Sequence, residues 1–149
     1  TKRGGFRMSL RPVFTDLEVG QELPAHTFVV TRETLLRYAG ASGDFNVIHW
    51  SQRHALEVGL PDVIAHGNLT MALGARYLTQ WAGDPGALSE YGVRFTKPVV
   101  VPDTDAGTTV EITGKILELD GDSRVRIDLT VTSEGQKVLT QARAWVHLS

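Results

Sequence analysis

The chain contains no cysteine, which removes disulfides, thiolate zinc sites and a thiol nucleophile in one stroke. That composition fits a reducing compartment, and a cytoplasmic location is expected. A charge excess is missing as well, since 15 basic against 17 acidic residues leave a formal net charge of -2, with no basic run. A nucleic-acid duplex or an anionic membrane surface would find no electrostatic footprint, so the expected target is a small molecule or another protein. No apolar run approaches the roughly 20 residues that span a bilayer, and no signal peptide is read. Internal repeats and low-complexity segments are absent too. At 149 residues the chain suits one domain of ordinary size. Thr1 to Arg7, basic and Gly-containing, is expected to be a tag remnant or a disordered arm ahead of Met8, with the domain over residues 8–149.

What is present reads as mixed helix and strand. Pro12, Gly20 and Pro24 punctuate the start, and Phe28-Val29-Val30 reads as a first strand. Thr31 is placed to cap a helix with Glu33 in its first turn and Leu35, Leu36, Tyr38 and Ala39 on its apolar face, ended by Gly40. Ser51 caps a second, short helix that Gly59 and Pro61 stop. Gly67 opens the one long helix, running to about Ala82, on the order of 22 Å in length. Its Leu69, Met71, Leu73, Tyr77, Leu78 and Trp81 leave it apolar almost all round, so a curled sheet is expected to wrap it. Small residues at Ala72, Gly74 and Ala75 would admit strands closely.

Strands follow. Leu88 to Val101, limited by Pro98 and Pro102, reads as one; Thr108 to Leu119 as another, with a bulge near Ile116 where the apolar set changes parity. Asp120-Gly121 signals a type I′ hairpin. Val125, Ile127, Leu129 and Val131 alternate with polar residues, and Val138 to Leu148 supplies a last strand after Gly135. Consecutive strands without a βαβ rhythm predict an antiparallel α+β domain.

The chemistry concentrates between the first two helices, in Tyr38-Ala-Gly-Ala-Ser42-Gly43-Asp44-Phe45-Asn46-Val47-Ile48-His49. On one helix Asp44 and His49 would point about 140° apart. Ser, Gly, Asp and Asn favour turns over helix interiors, so both are placed on a loop that can aim them at one point. Taken singly, Asp44 reads as a turn residue, His49 as a packed ring beside Trp50, and Gly67 as a helix-boundary glycine. Their joint spacing favours function. Ser42 suits loop structure, because no G-x-S-x-G elbow surrounds it. His49 and His54 are five apart rather than the four that sets two ligands on one helix face, so no metal is expected. His26 and His147 lie in or beside predicted strands and carry no further signal.

These residues resemble the signature of the MaoC-like (R)-specific hydratase and dehydratase family: Tyr, a short gap, Ser-Gly-Asp-x-Asn-Pro-apolar-His, then Ala or Ser. Here it is carried by Tyr38, Ser42, Gly43, Asp44, Asn46, Ile48, His49 and Ala55, with Val47 where the family usually has proline. Ala65-His66-Gly67-Asn68-Leu69-Thr70-Met71, Gly83-Asp84-Pro85-Gly86 and Glu90 to Phe95 look most like the catalytic B subunit of the (3R)-hydroxyacyl carrier-protein dehydratases of mycolic-acid synthesis. The resemblance covers roughly Pro12 to Leu148 and implies a hot-dog fold with the sheet around one central helix.

It further implies reversible addition of water to trans-2-enoyl thioesters, with Asp44 and His49 as the acid–base pair holding a water. Gly67 would donate its N–H to the thioester oxygen, and Asn46 and Ser42 would hold the loop and position that water. His66 and Arg94 are candidate substrate contacts, and Arg53, Arg76, Arg94 and Lys97 candidate partners for a phosphopantetheine or CoA phosphate. No cofactor is expected. Three readings stand: a carrier-protein dehydratase of fatty-acid elongation paired with a second hot-dog subunit, a stand-alone (R)-specific enoyl-CoA hydratase homodimer, and a non-catalytic acyl-binding subunit. A thioesterase does not call for this Asp and His signature.

Overall fold

Period-two burial builds the sheet in the computed structural model, which describes residues 11–148; the expected tag or arm at Thr1–Arg7 lies outside the described residues. Five strands, β1 (Glu22–Val30), β2 (Leu88–Phe95), β3 (Thr108–Leu119), β4 (Arg124–Ser133) and β5 (Gln136–His147), form one sheet in the order β1-β3-β4-β5-β2. Every neighbouring pair is antiparallel. Val125, Ile127, Leu129 and Val131 face inward from β4, against Ile112 and Ile116 of β3 and Ala142, Ala144 and Val146 of β5, all buried. Burial of each such aliphatic side chain contributes about 1.5–3 kcal/mol, so this inner face dominates the stability of the domain.

Irregularities sit where the sequence cannot keep strict alternation. β3 bulges between Ile116 and Glu118, as the parity change predicts. β1 is longer than its apolar run and shifts register between Leu23 and His26, across Pro24, which has no N–H for the ladder. A bulge in β5 has no compositional signature: Leu129 pairs with Ala142 but Val131 with Leu139, and Gln141 takes φ +46°. The expected strand from Leu88 to Val101 stops at Phe95, and beyond Pro98 only Val100 bridges, to Ile64.

The two hairpin turns exchange expectations. Asp120-Gly121 does not form the two-residue type I′ turn. Asp120 Oδ1 instead accepts the Asp122 and Arg124 N–H groups at 3.1 and 3.2 Å, closing a wider loop whose positive φ, +58°, falls on Ser123. The type I′ geometry lies in the next hairpin, where Glu134 (φ +51°) and Gly135 (φ +72°) join the paired Ser133 and Gln136.

Three helices complete the domain: α1 (Arg32–Ser42), α2 (Gln52–Glu57) and α3 (Gly67–Ala82). Thr31 caps α1 through a reciprocal capping box with Thr34, and Arg32 ties its start to the Val101 carbonyl at 2.6 Å and to Asp62 at 2.8 Å. Gly40 does not end α1. The helix runs on to Ser42 and stops at Gly43, whose φ of +75° gives the left-handed cap. Ser51 caps α2 as expected. Helix α3 begins at Gly67 and ends at the left-handed Gly83, packing Leu69, Leu73, Tyr77 and Leu78 against the sheet. A methyl group at Gly74 would overlap the Tyr91 hydroxyl, which itself donates to the Met71 carbonyl, so the absence of a side chain sets how closely β2 approaches. The wrapping of α3 is incomplete in the single chain: Asn68, Ala72, Arg76 and Gln80, four residues apart, form an exposed stripe.

Candidate active site

The site is assembled from three short pieces: the loop after α1, the extended segment 63–65, and the first turn of α3. Segment 63–65 is pinned from both sides, with Ile64 N–H on the Ile48 carbonyl at 3.3 Å, Ala65 N–H on the Val99 carbonyl at 2.8 Å, and Val101 N–H on the Val63 carbonyl at 2.9 Å. It therefore delivers His66 and Gly67 to a fixed place beside His49.

Loop residues are held by their own polar side chains. Ser42 Oγ donates to the Tyr38 carbonyl at 2.8 Å and accepts the Asp44 N–H at 3.2 Å. Asp44 Oδ1 accepts the Asn46 N–H at 3.1 Å, and Asn46 Oδ1 accepts the Ile48 N–H at 3.4 Å, capping a 3₁₀ turn over Val47–His49. Ser42 and Asn46 thus sit where loop-holding requires them. Val47, in place of the family's usual proline, begins that turn without breaking it.

His49 is 8% exposed, and its Nδ1 meets the Ile64 carbonyl at 2.7 Å. A carbonyl only accepts, so Nδ1 carries the proton and Nε2 presents a bare lone pair. His66 is 1% exposed, and its Nε2 lies 3.0 Å from the Asp44 backbone carbonyl, so there the proton is on Nε2. The two rings stack at 3.9 Å with an interplanar angle of 25°, and Tyr38 closes on the far ring at 4.8 Å. Burial, first, and the neighbouring His49, to a lesser degree, push the His66 pKa below its ordinary value, against the opposing pull of the Asp44 carbonyl.

Asp44, His49 and His66 bring one donor atom each within 4.8 Å of one another. Metal ligation needs imidazole lone pairs, which lie in the ring planes, to converge at about 2.0–2.1 Å. Rings stacked at 25° hold those lone pairs in nearly parallel planes, a poor fit to a shared ion. His54 stands apart on α2, 3.8 Å from Glu57.

Gly67 is the first residue of α3, where an N–H has no intrahelical acceptor and the positive end of the helix dipole lies behind it. It lines, with His49, Ile64, Thr70, Phe95 and Lys97, a cavity of about 340 Å³. A Cβ at Gly67 would sit 3.1 Å from Phe95 Cε1, so the glycine keeps this wall open. His49 also borders a second, mostly apolar cavity of about 450 Å³ lined by Leu35, Leu36, Ala39, Phe45 and Trp50, with Arg32 and Glu33 beside them. One imidazole therefore lines two hollows, one with Lys97 among its lining residues and the other mostly apolar.

Of the other sequence candidates, His66 lies behind His49 rather than at the cavity surface, and Arg94 is exposed on β2 outside the cavity lining. Among the four cations considered for a phosphate, Arg53 pairs with Glu57 and Arg76 lies over the Phe28 ring, while Lys97 lines the cavity and bonds the Gln136 amide oxygen at 2.7 Å. Thr70 and Phe95 were not singled out from sequence. Thr70 had a signal, one helical turn after His66 on the same face; Phe95 did not, because only the sheet order carries β2 to the start of α3.

Comparison with known proteins agrees with this fold. Residues 15–135 match the family described as the MaoC like domain. The 3-hydroxyacyl-thioester dehydratase X of Mycobacterium tuberculosis is 41% identical over 81 residues, 54% of this chain and 28% of that protein. A solved structure titled MaoC-like dehydratase superposes with a TM-score of 0.88 at 43% identity, covering 93% of this chain and 43% of its own. The R-hydratase PhaJ1 from Pseudomonas aeruginosa superposes with a TM-score of 0.79 at 28% identity, over 91% of this chain and 84% of its own. The chain thus spans less than half the length of the first two relatives. By its family match and its hot-dog architecture, the chain belongs to the MaoC-like domain family of hydratases and dehydratases.

Proposed function

We propose that this domain interconverts trans-2-enoyl thioesters and (3R)-3-hydroxyacyl thioesters by adding and removing water, as a carrier-protein dehydratase of fatty-acid elongation. The observation that carries the reading is His49, its Nε2 bare and a ring nitrogen within 4.8 Å of an Asp44 carboxylate oxygen, at a cavity that Gly67 at the start of α3 also lines. In the hydration direction, the oxygen of a water held between Asp44 and His49 bonds to C3. The pair accepts one proton from that water and returns one to C2, so the charge balances over the cycle. Positioned acid–base groups of this kind contribute about 10² to 10⁴-fold.

As C3 is attacked, electron density moves onto the thioester oxygen. The Gly67 N–H, backed by the helix dipole, is the donor for it, and losing such a donor costs about 2.7–4 kcal/mol in other enzymes. Lys97 at the cavity rim is the cation for a phosphate on the carrier arm, and the apolar hollow beside Trp50 takes acyl carbons. The name of the mycobacterial relative supports the dehydratase reading. A stand-alone (R)-specific enoyl-CoA hydratase is favoured by one separate observation, the likeness to PhaJ1 over 84% of that chain. Either way the free edge of β2 and the open stripe of α3 call for a second hot-dog domain, identical or not.

The test is the purified chain with a short trans-2-enoyl-CoA and with the same acyl group on a carrier protein, following loss of the conjugated thioester absorbance. Hydration of either that Asp44→Asn lacks would support the chemistry, and the preferred carrier would separate the two readings. A folded chain silent on both, with and without a second hot-dog subunit, would overturn it. No helix among the described residues is long and apolar enough to cross a membrane.

A further inference from the structure

His66 was expected to touch substrate, yet its ring is 1% exposed and lies beneath His49. We propose that His66 is a positioning residue, an imidazole that clamps the backbone of Asp44 through Nε2–H and forms the floor on which His49 stands. The proposal takes the acid–base reading of Asp44 and His49 as its starting point and assigns to His66 what keeps that pair in register.

The loop residues 43–46 make their other hydrogen bonds locally. Gly43 N–H goes back to Ala39, Asp44 N–H to Ser42, Asn46 N–H to Asp44, the Phe45 carbonyl to the Trp50 indole at 3.0 Å, and the Asn46 carbonyl to His49 N–H at 3.0 Å. Among the described residues, the bond from His66 to the Asp44 carbonyl is the one that ties this loop to a distant element, across 22 positions of sequence. Local bonds fix the shape of the loop. The Ile48 and His49 bonds to Ile64 hold the turn that follows, and the His66 bond fixes where residues 43–46 themselves sit relative to α3 and hence to the Gly67 N–H.

Neutrality follows from position. The ring is buried and precedes the positive end of α3, and the titratable groups facing it are His49 in the stack, Tyr38 at 4.8 Å and the Asp44 carboxylate, whose pull toward the cation burial outweighs. A proton added to His66 would place a cation 3.9 Å from the ring that must itself take up a proton during turnover. A neutral ring there leaves His49 free to cycle. Its Nδ1 is, among the described residues, the buried side-chain polar atom left without a hydrogen-bond partner. An unpaired buried polar atom costs about 1–3 kcal/mol, so stability alone would favour an apolar residue; the clamp supplies the reason for an imidazole.

Two variants differing by one methylene separate this role from others. In His66→Gln the side-chain amide reaches the place of Nε2 and still donates to Asp44; in His66→Asn it stops near Nδ1 and cannot. The expected result is a fall in kcat of about 10²-fold for His66→Asn, with KM within twofold and thermal stability similar in both variants, and recovery of at least tenfold in His66→Gln. Equal kcat in the two variants, or a change confined to KM as a substrate contact would give, overturns the proposal. A second arm is independent of turnover. Long-range ¹H–¹⁵N spectra of the unmodified chain near pH 7.5 should show His66 protonated on Nε2 alone, and His66→Asn should speed amide exchange in residues 43–46. A cationic or Nδ1-protonated His66, or unchanged exchange, overturns the clamp. Should the chain prove inactive on every enoyl thioester, the functional reading fails while this arm still decides the clamp.

Discussion

Ile127 and Asp44 mark two regions held by different physics. Ile127 is fully buried in β4, opposite Ile116 on one side and Ala144 on the other, and its place is set by many weak contacts. Asp44 is exposed, and three hydrogen bonds set its place: Ser42 at its N–H, Asn46 at its carboxylate and His66 at its carbonyl. The sheet resists displacement because many groups must move together. The loop is aimed by a few directional bonds, each of which can be removed with little loss of buried area. Stability and reactivity are therefore separable in this domain, and substitutions should move one without the other.

The largest effect tests that separation from the loop side. Asp44→Asn keeps an oxygen for the Asn46 N–H and buries nothing new, so the melting temperature should stay within a degree or two of the parent while turnover falls about 10² to 10⁴-fold. Thermal melts beside enoyl-thioester assays decide it, and a large loss of stability would break the comparison. Next in size, Ile127→Ala should cost about 2–5 kcal/mol in denaturant unfolding, with the kcat of the molecules that remain folded nearly unchanged. A fall in kcat matching that of Asp44→Asn would mean that sheet packing reaches the loop after all.

The same division governs what could be read from sequence. Alternation in Val125 to Val131 and the parity change at Ile116 are statements about burial, and burial is what the sheet uses. The left-handed cap at Gly43, by contrast, is not distinguished from Gly40 by composition; the Ser42 bond to the Tyr38 carbonyl and the Gly43 N–H bond to the Ala39 carbonyl carry the helix one turn farther. Asp120-Gly121 and Glu134-Gly135 carry similar turn signals. The choice between them was made by the Asp120 side chain, which captures two backbone N–H groups. Spacing within the signature singles out Asp44 and His49, and the start of the long helix singles out Gly67. His66 was read as a substrate contact because nothing local shows that Ile64 and Asp44 turn the two imidazoles into a stack. Lys97 among four cations could be singled out only once β2 and β5 were paired.

Gly67→Ala sharpens the comparison at the boundary between the regions. Its Cβ would meet Phe95 Cε1 at 3.1 Å, and Phe95, 54% exposed, has room to swing away. The alanine also removes the conformational freedom of a helical glycine, worth up to about 1 kcal/mol. Stability should therefore hold or rise slightly, while the new methyl and the displaced ring narrow the cavity and lower kcat/KM by about tenfold or more, toward the larger losses seen when an oxyanion donor is removed. A variant that is both more stable and as active would show that this wall does not meet the thioester.

The smallest effect concerns protons. An unfolded chain binds a proton on each histidine near pH 6.5, whereas burial holds His66 neutral below that value in the folded state. Above about pH 6.5 neither state is charged at this position and His66 adds no pH dependence. As the pH falls below that, the unfolded state takes up a proton that the folded state refuses, so the linkage destabilises the fold progressively down to the lowered native pKa. Unfolding free energies of the parent and of His66→Gln, measured at pH 7.5 and 5.5, should therefore converge from the parent's side on acidification. A gap that widened in acid would mean that the folded site welcomes the proton, and with it that the floor beneath His49 is a cation.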